Sequence, residues 1–190
     1  MRKVADNYQI YVAATTLPIS VADAKAHLRV THSDHDSLIE DLIWGGAKAF
    51  EKAANVCLSA QTWKAFFDKG YEYIELWKYP VTGISAVQYY DGDNAFQTLS
   101  TDDWFSNVNT GSIAWDPRPA VITIEDIPST YDRDDAVIIT FTAGYTTIDY
   151  DVKHAILAWV YRMYENPNDP VTERLSFFDN IVSSNRSYGL

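Results

Sequence analysis

Two histidines and two aspartates fall within five residues, in His32-Ser33-Asp34-His35-Asp36. Imidazole and carboxylate groups of this kind hold transition metals. The spacing, however, matches no recurrent metal motif. Ser33, Asp34 and Asp36 also suit the start of a helix, where side-chain oxygens cap backbone N–H groups and anions favour the positive end of the dipole. Capping is therefore the expectation here, and no metal is assigned. Asp91-Gly92-Asp93-Asn94 and Asp132-Arg133-Asp134-Asp135 resemble fragments of calcium loops. Counted from Asp91, the position that needs a bidentate glutamate holds Asp102, a shorter carboxylate. A tight turn explains the first run and a solvated loop the second.

The catalytic inventory is thin. Gly-x-Ser-x-Gly, His-Glu-x-x-His, Gly-x-x-x-x-Gly-Lys and Gly-x-Gly-x-x-Gly are all absent. His27 and His154 lie on expected helices, where packing or surface roles suffice. Cys57, the one cysteine, lacks any signature of a thiolate nucleophile and reads as a small buried residue. No catalytic residue and no cofactor is expected. Trp63, Trp77, Tyr89, Tyr90, Trp104 and Trp115 could stack on sugars or meet a protein partner. About half of them are expected in a core and half on a surface.

These residues need a scaffold, and composition bounds it. The chain has 190 residues, 47% hydrophobic and 22% charged, which is ordinary globular composition. Its net charge of −11 argues against gripping nucleic acid by its phosphates or adhering to anionic lipid. Residues 59–148 hold 13 of the 26 acidic residues and 16 of the 27 aromatic ones. Met1 to Tyr11 has no apolar core, so a signal peptide is not expected, and no apolar run is long enough for a membrane span. Synthesis and folding in a cytoplasm follow as the expectation.

Three parts are predicted. In 1–58, Ser20 and Asp23 open a helix carrying Val21, Ala24 and Leu28. A second helix carries Leu38, Ile39, Leu42, Ile43, Gly46, Phe50 and Ala53 on one face. The Gly45-Gly46 pair weakens it by roughly 1 kcal/mol per glycine but lets another backbone approach closely. In 59–148, strands are expected at 61–67 and 71–77 around the turn Asp68-Lys69-Gly70, and at 84–90 and 95–99 around Asp91-Gly92-Asp93-Asn94. Further strands are expected at 104–108 and 112–115 around Asn109-Thr110-Gly111, and at 121–125 and 136–142 around an acidic loop. In 149–190, Val152, Ala155, Ile156, Trp159, Val160 and Met163 give the strongest helical period of the chain. The prolines at 167 and 170 end that helix, and a short one follows from Thr172 to about Val182, with Leu175, Phe178 and Ile181 on one side. The fold class is thus α+β, a helical bundle with an inserted antiparallel β-rich lobe, either a small sandwich or a barrel.

Several stretches together resemble one family. They are Leu17-Pro18-Ile19-Ser20-Val21-Ala22-Asp23-Ala24-Lys25-Ala26-His27-Leu28-Arg29-Val30, His35-Asp36-Ser37-Leu38-Ile39 and Gln61-Thr62-Trp63. Phe141-Thr142-Ala143-Gly144-Tyr145, Val152-Lys153-His154-Ala155-Ile156-Leu157 and Tyr164-Glu165-Asn166 complete the set. In this order and spacing, over residues 17–166, the chain resembles the head–tail connector (adaptor) proteins of tailed bacteriophages and prophages. Each motif alone is weak, and the ordered set is more specific.

The resemblance implies a structural virion protein without enzymatic activity, located at the head–tail junction. Such adaptors form a ring, usually of about twelve subunits, beneath the portal protein. The ring extends the channel through which double-stranded DNA passes without sequence-specific binding. It also offers a docking surface to a stopper or tail-completion protein, and no membrane is involved. The family's C-terminal segments tend to engage the portal, which points to residues 170–190 here. Leu175, Phe177, Phe178, Ile181, Arg186 and Tyr188 are the candidate partner-interface residues there, although no family motif matches them one by one. Two other classes remain open: a carbohydrate-binding module on the aromatic lobe, and a small metal-dependent hydrolase using the 32–36 cluster.

Overall fold

The computed structural model describes residues 2–108, 120–167 and 176–186. Their order is β1 (Arg2–Val4), β2 (Asn7–Val12), α1 (Val21–Leu28), α2 (Asp36–Ala54), β3 (Gln61–Phe67), β4 (Tyr73–Leu76), β5 (Val81–Tyr90), β6 (Phe96–Thr98), β7 (Trp104–Ser106), β8 (Ala120–Ile124), β9 (Val137–Ala143), α3 (Tyr150–Glu165) and α4 (Ser176–Ser184). Two apolar clusters result. One joins the four helices around Ile43, Phe50, Ile156 and Val160; the other lies between two sheets around Phe67, Ile74, Ile122 and Phe141. The fold is α+β, as the pattern of the chain predicts. Among the described residues no helix is long and apolar enough to cross a membrane.

Local chemistry sets the helix ends. The Ser20 hydroxyl accepts from the Asp23 backbone N–H at 3.1 Å and donates to the Asp23 carboxylate at 2.8 Å, a reciprocal cap. Arg29 and Asn55, at φ 58° and 56°, close α1 and α2 in the left-handed conformation. The Asp149 carboxylate starts α3 by accepting from Tyr150 N–H at 2.6 Å. Ile39, Ile43, Gly46, Ala47, Phe50 and Ala54 form the buried stripe of α2. That stripe meets Val152, Ala155, Ile156 and Val160 of α3. A Cβ on Gly45 would sit 2.9 Å from the Trp159 ring, and one on Gly46 would sit 3.0 Å from it. What the glycine pair admits is thus an indole, not the second backbone expected from the sequence. Lys25–Asp36 at 2.6 Å and Lys153–Asp23 at 3.1 Å tie α1 to α2 and α3.

One sheet runs β1-β4-β8-β7 and the other β2-β3-β9-β5-β6. The register places Ala65, Phe67, Ile139, Phe141 and Val87 on the inner face of the five-stranded sheet. Ile74, Leu76, Ile122 and Ile124 form the inner face of the other. The β5–β6 hairpin around Asp91-Gly92-Asp93-Asn94 forms as expected.

Three expectations need correcting. Asp68-Lys69-Gly70 does not join a hairpin: β3 pairs with β2 and β9, while β4 pairs with β1 and β8 in the other sheet. The turn residues allow a reversal but do not fix which sheet the next strand joins. Strands β8 and β9 likewise belong to different sheets. The N-terminal residues, for which no element is predicted, form β1 and β2, and β1 pairs with β4 in parallel. Tyr8 holds β2 in place: its hydroxyl accepts from Trp77 N–H at 2.9 Å and its ring meets Phe141 edge-on. The expected turn 109–111 and strand 112–115, including Trp115, lie outside the described residues.

Glu51 links the helices to the sheets. Its carboxylate accepts from Leu58 N–H at 2.6 Å and from the Gln61 amide at 3.3 Å. Burial raises its pKa above 4.5, because desolvation outweighs the bonds from the Leu58 and Ser59 backbone N–H groups. The folded state then binds this proton more tightly than the unfolded state. Glu51 therefore adds stability as pH falls through its raised folded pKa, and this gain levels off below 4.5. At pH 7 it is a desolvated charge. Glu51→Gln removes the titrating group, so its stability relative to wild type should fall as pH is lowered from 7 towards 5. Urea melts at both pH values check this, and a relative stability that rises in acid contradicts it.

Candidate assembly surfaces

The 31–36 segment is arranged for packing. The His32 and His35 rings meet edge-on at 4.8 Å, and His35 Nδ1 lies 2.6 Å from the Tyr164 hydroxyl. The Asp36 carboxylate is held by Lys25 at 2.6 Å, while Asp34 lies 3.7 Å from His32. Among the described residues, no group of three or more His, Cys, Asp or Glu side chains is placed to hold a metal ion. The capping expectation needs correction as well. His35 occupies the cap position without a side-chain bond, and Ser33 contributes its backbone carbonyl, which accepts from Asp36 N–H at 3.1 Å.

The acidic loops are tied down from within. The Asp91 carboxylate accepts from Asp93 N–H at 3.1 Å, Ala95 N–H at 2.9 Å and the Gln97 amide at 2.9 Å. The Gln97 bond and then the Ala95 N–H hold that carboxyl below its ordinary range. Arg133 pairs with Asp135 at 2.9 Å, reaches Asn94 at 3.0 Å and lies 3.7 Å over the Tyr90 ring. The 132–135 run, expected as a solvated loop, is thereby pinned to the β5–β6 hairpin. Cys57 is 2% exposed, and burial pushes its thiol up to about 12, so it is protonated at neutral pH. His27 and His154 are exposed.

The aromatic residues do not divide into core and surface halves. Trp63, Trp77, Tyr89, Tyr90 and Trp104 are all half-buried. The indole N–H groups of Trp63, Trp77 and Trp104 are directed inward. The exposed apolar residues lie elsewhere: Ile10, Tyr11 and Val12 on β2, Phe96 on β6, Tyr73 and Phe105 on the four-stranded sheet. The period-two pattern Tyr8, Ile10, Val12 was the signal that marks β2.

The C-terminal candidates take different positions. Phe178 is 8% exposed and meets the Phe50 ring edge-on at 5.7 Å. Ile181 packs partly buried on the same helical cluster. Phe177, about 100° round the helix from Phe178, is 49% exposed. Arg186 is exposed, whereas Leu175, Tyr188 and the expected helix start at Thr172 lie outside the described residues. Where helices and sheet meet, a cleft of about 620 Å³ opens between Leu17–Ile19, Ser59–Ala60 and Gly144–Ile148, with Lys153 at its side.

No protein-family model matches the sequence, and no curated protein is similar to it at a significant level. Solved structures do match. One is a chain of the neck of an empty gene transfer agent (GTA) particle computed with C6 symmetry, with TM-score 0.76, 16% identity, and 97% of both chains covered. Another belongs to the virion of a native gene transfer agent particle, with TM-score 0.73, 16% identity and 96% of both chains covered. A third belongs to the neck of a native GTA particle computed with C12 symmetry, with TM-score 0.72, 18% identity and 97% of both chains covered. From end to end, helices and both sheets together, this chain has the fold of chains found in gene transfer agent particles, two of them in the neck.

Proposed function

We propose that this protein is a structural subunit of a virion neck, a head–tail connector without enzymatic activity. It forms a closed ring below the portal protein, extends the DNA channel and offers the next stopper or tail-completion protein a docking surface. The observation that carries this reading is the match over 97% of both chains to neck chains of a phage-like particle, one of them in a neck computed with C12 symmetry. The ordered motifs of residues 17–166 point the same way independently of the three-dimensional match.

The charge supports it. A chain of net charge −11 repels the phosphate backbone, so DNA can move along the ring without being held. The outer side of α4, with Phe177 and Arg186, is our candidate for the portal contact; Phe178 and Ile181 serve it by docking the helix on the bundle. Leu175 and Tyr188 belong to the same candidate surface by their place in the sequence. Phe177→Ala removes an exposed ring and leaves the core untouched. It should weaken co-sedimentation with the portal ring of the same genome by at least tenfold while the melting temperature stays within about 2 °C. Unchanged co-sedimentation would remove α4 from the interface, and failure of the wild-type chain to co-sediment would remove the connector reading.

A further inference from the structure

A closed ring requires two different patches on each subunit that fit one another, because head-to-tail contacts are heterologous. The five-stranded sheet offers two such patches at opposite edges, β2 and β6. Among the described residues neither edge strand is covered by a further strand.

An open strand edge is normally blunted by lysine, proline or inward charge, because it invites pairing with other chains. The four-stranded sheet follows this rule at β1, which carries Lys3. The β2 edge does not. From Asn7 to Ala22 the chain has no charged residue, although 22% of the whole is charged. On β2 itself Ile10, Tyr11 and Val12 are 48%, 61% and 51% exposed. The β6 edge matches it. Ala95 to Thr101 is also uncharged, and Phe96 is 50% exposed.

The flanking charges differ. Asp6 precedes β2 and Lys64 lies 4.1 Å over the Tyr11 ring at its other end, while Asp91 and Asp93 precede β6 and Asp102 and Asp103 follow it. The strand order puts four strand-to-strand steps between β2 and β6. The sheet also twists by roughly 20–25° per strand, which turns β6 well away from the direction of β2. The two edges therefore cross through side chains and do not extend one continuous ladder.

We infer that the contact between neighbouring subunits is made by the uncharged β2 edge of one copy, with Ile10, Tyr11 and Val12, against the uncharged β6 edge of the next, with Phe96. This inference rests on the ring reading above and names the surface that closes it. The test uses the full chain assembled on its portal, with Val12→Cys and Thr98→Cys together and each alone, treated with a short bismaleimide. Both positions are exposed, and the native Cys57 is buried and stays silent. The double variant should give a ladder of dimers, trimers and higher multimers on a denaturing gel, and each single variant none.

A ring seen by microscopy without a ladder overturns the edge contact and leaves the ring intact. Dimers from a single variant show a two-fold contact, and cross-links to the portal show that the portal covers the edge; either result overturns the inference. Absence of any ring overturns it together with the reading it rests on.

Discussion

Gly144→Ala should cost about 4 kcal/mol of folding stability, a large share of the roughly 5–15 kcal/mol that a domain has. Gly144 sits at φ +143°, a conformation that side chains rarely adopt, and forcing one there costs about 1–3 kcal/mol. A Cβ would also lie 2.5 Å from the Ser59 carbonyl carbon and oxygen and 2.6 Å from Ala60 Cα. These are backbone atoms, so relief requires moving the Ser59–Ala60 backbone that leads into β3, and overpacking of this kind adds about 1–3 kcal/mol. The residue cannot simply swing away, because its N–H donates to the Pro80 carbonyl at 2.9 Å. Gly144 stands where β9 hands over to α3, at the seam between sheets and bundle. The loss should therefore appear as one cooperative transition in urea, shifted to lower midpoint. A loss below 1 kcal/mol contradicts this account of the seam.

Phe50→Ala should cost about 3–5 kcal/mol, the usual range for emptying a fully buried phenylalanine site. Phe50, on α2, is 0% exposed within the helical core and meets Phe178 of α4. Its ring is the edge-on partner of Phe178, so truncation removes the aromatic contact by which α2 holds α4. Two results separate this from general loosening. Limited proteolysis should cut first near α4, and Phe50→Leu should recover most of the loss, because it conserves much of the volume. If α4 carries the portal contact, Phe50→Ala should also weaken portal binding without touching the surface. Stability lost uniformly, with α4 still resistant to protease, contradicts the role assigned to Phe50.

The helices were readable because each has a broad apolar stripe with its own punctuation. Val152 to Val160 gave α3, and Asn166-Pro167 ended it. Ser20 and Asp23 gave the start of α1. Strand β3 was readable as Gln61–Phe67 because turn residues bound it. Strand pairing was less legible. Asp68-Lys69-Gly70 looks like a hairpin turn, yet pairing across the sandwich depends on long-range packing that neighbouring residues do not encode. Strand β2 escaped because Tyr11 interrupts the alternation of Tyr8, Ile10 and Val12 and because its edge is open, so it shows little of the usual burial contrast. The candidate surfaces were only partly legible. The adjacent Phe177 and Phe178 are identical in type, and only the docking of α4 decides which ring faces out.

The central claim is that this chain closes into a ring on a portal. The most direct measurement is negative-stain microscopy of the chain mixed with the portal ring of the same genome, classified without imposed symmetry. The account predicts an added ring of density at the narrow end of the portal, with cyclic symmetry. Portal particles that look unchanged at micromolar concentration, with both partners folded, would contradict it.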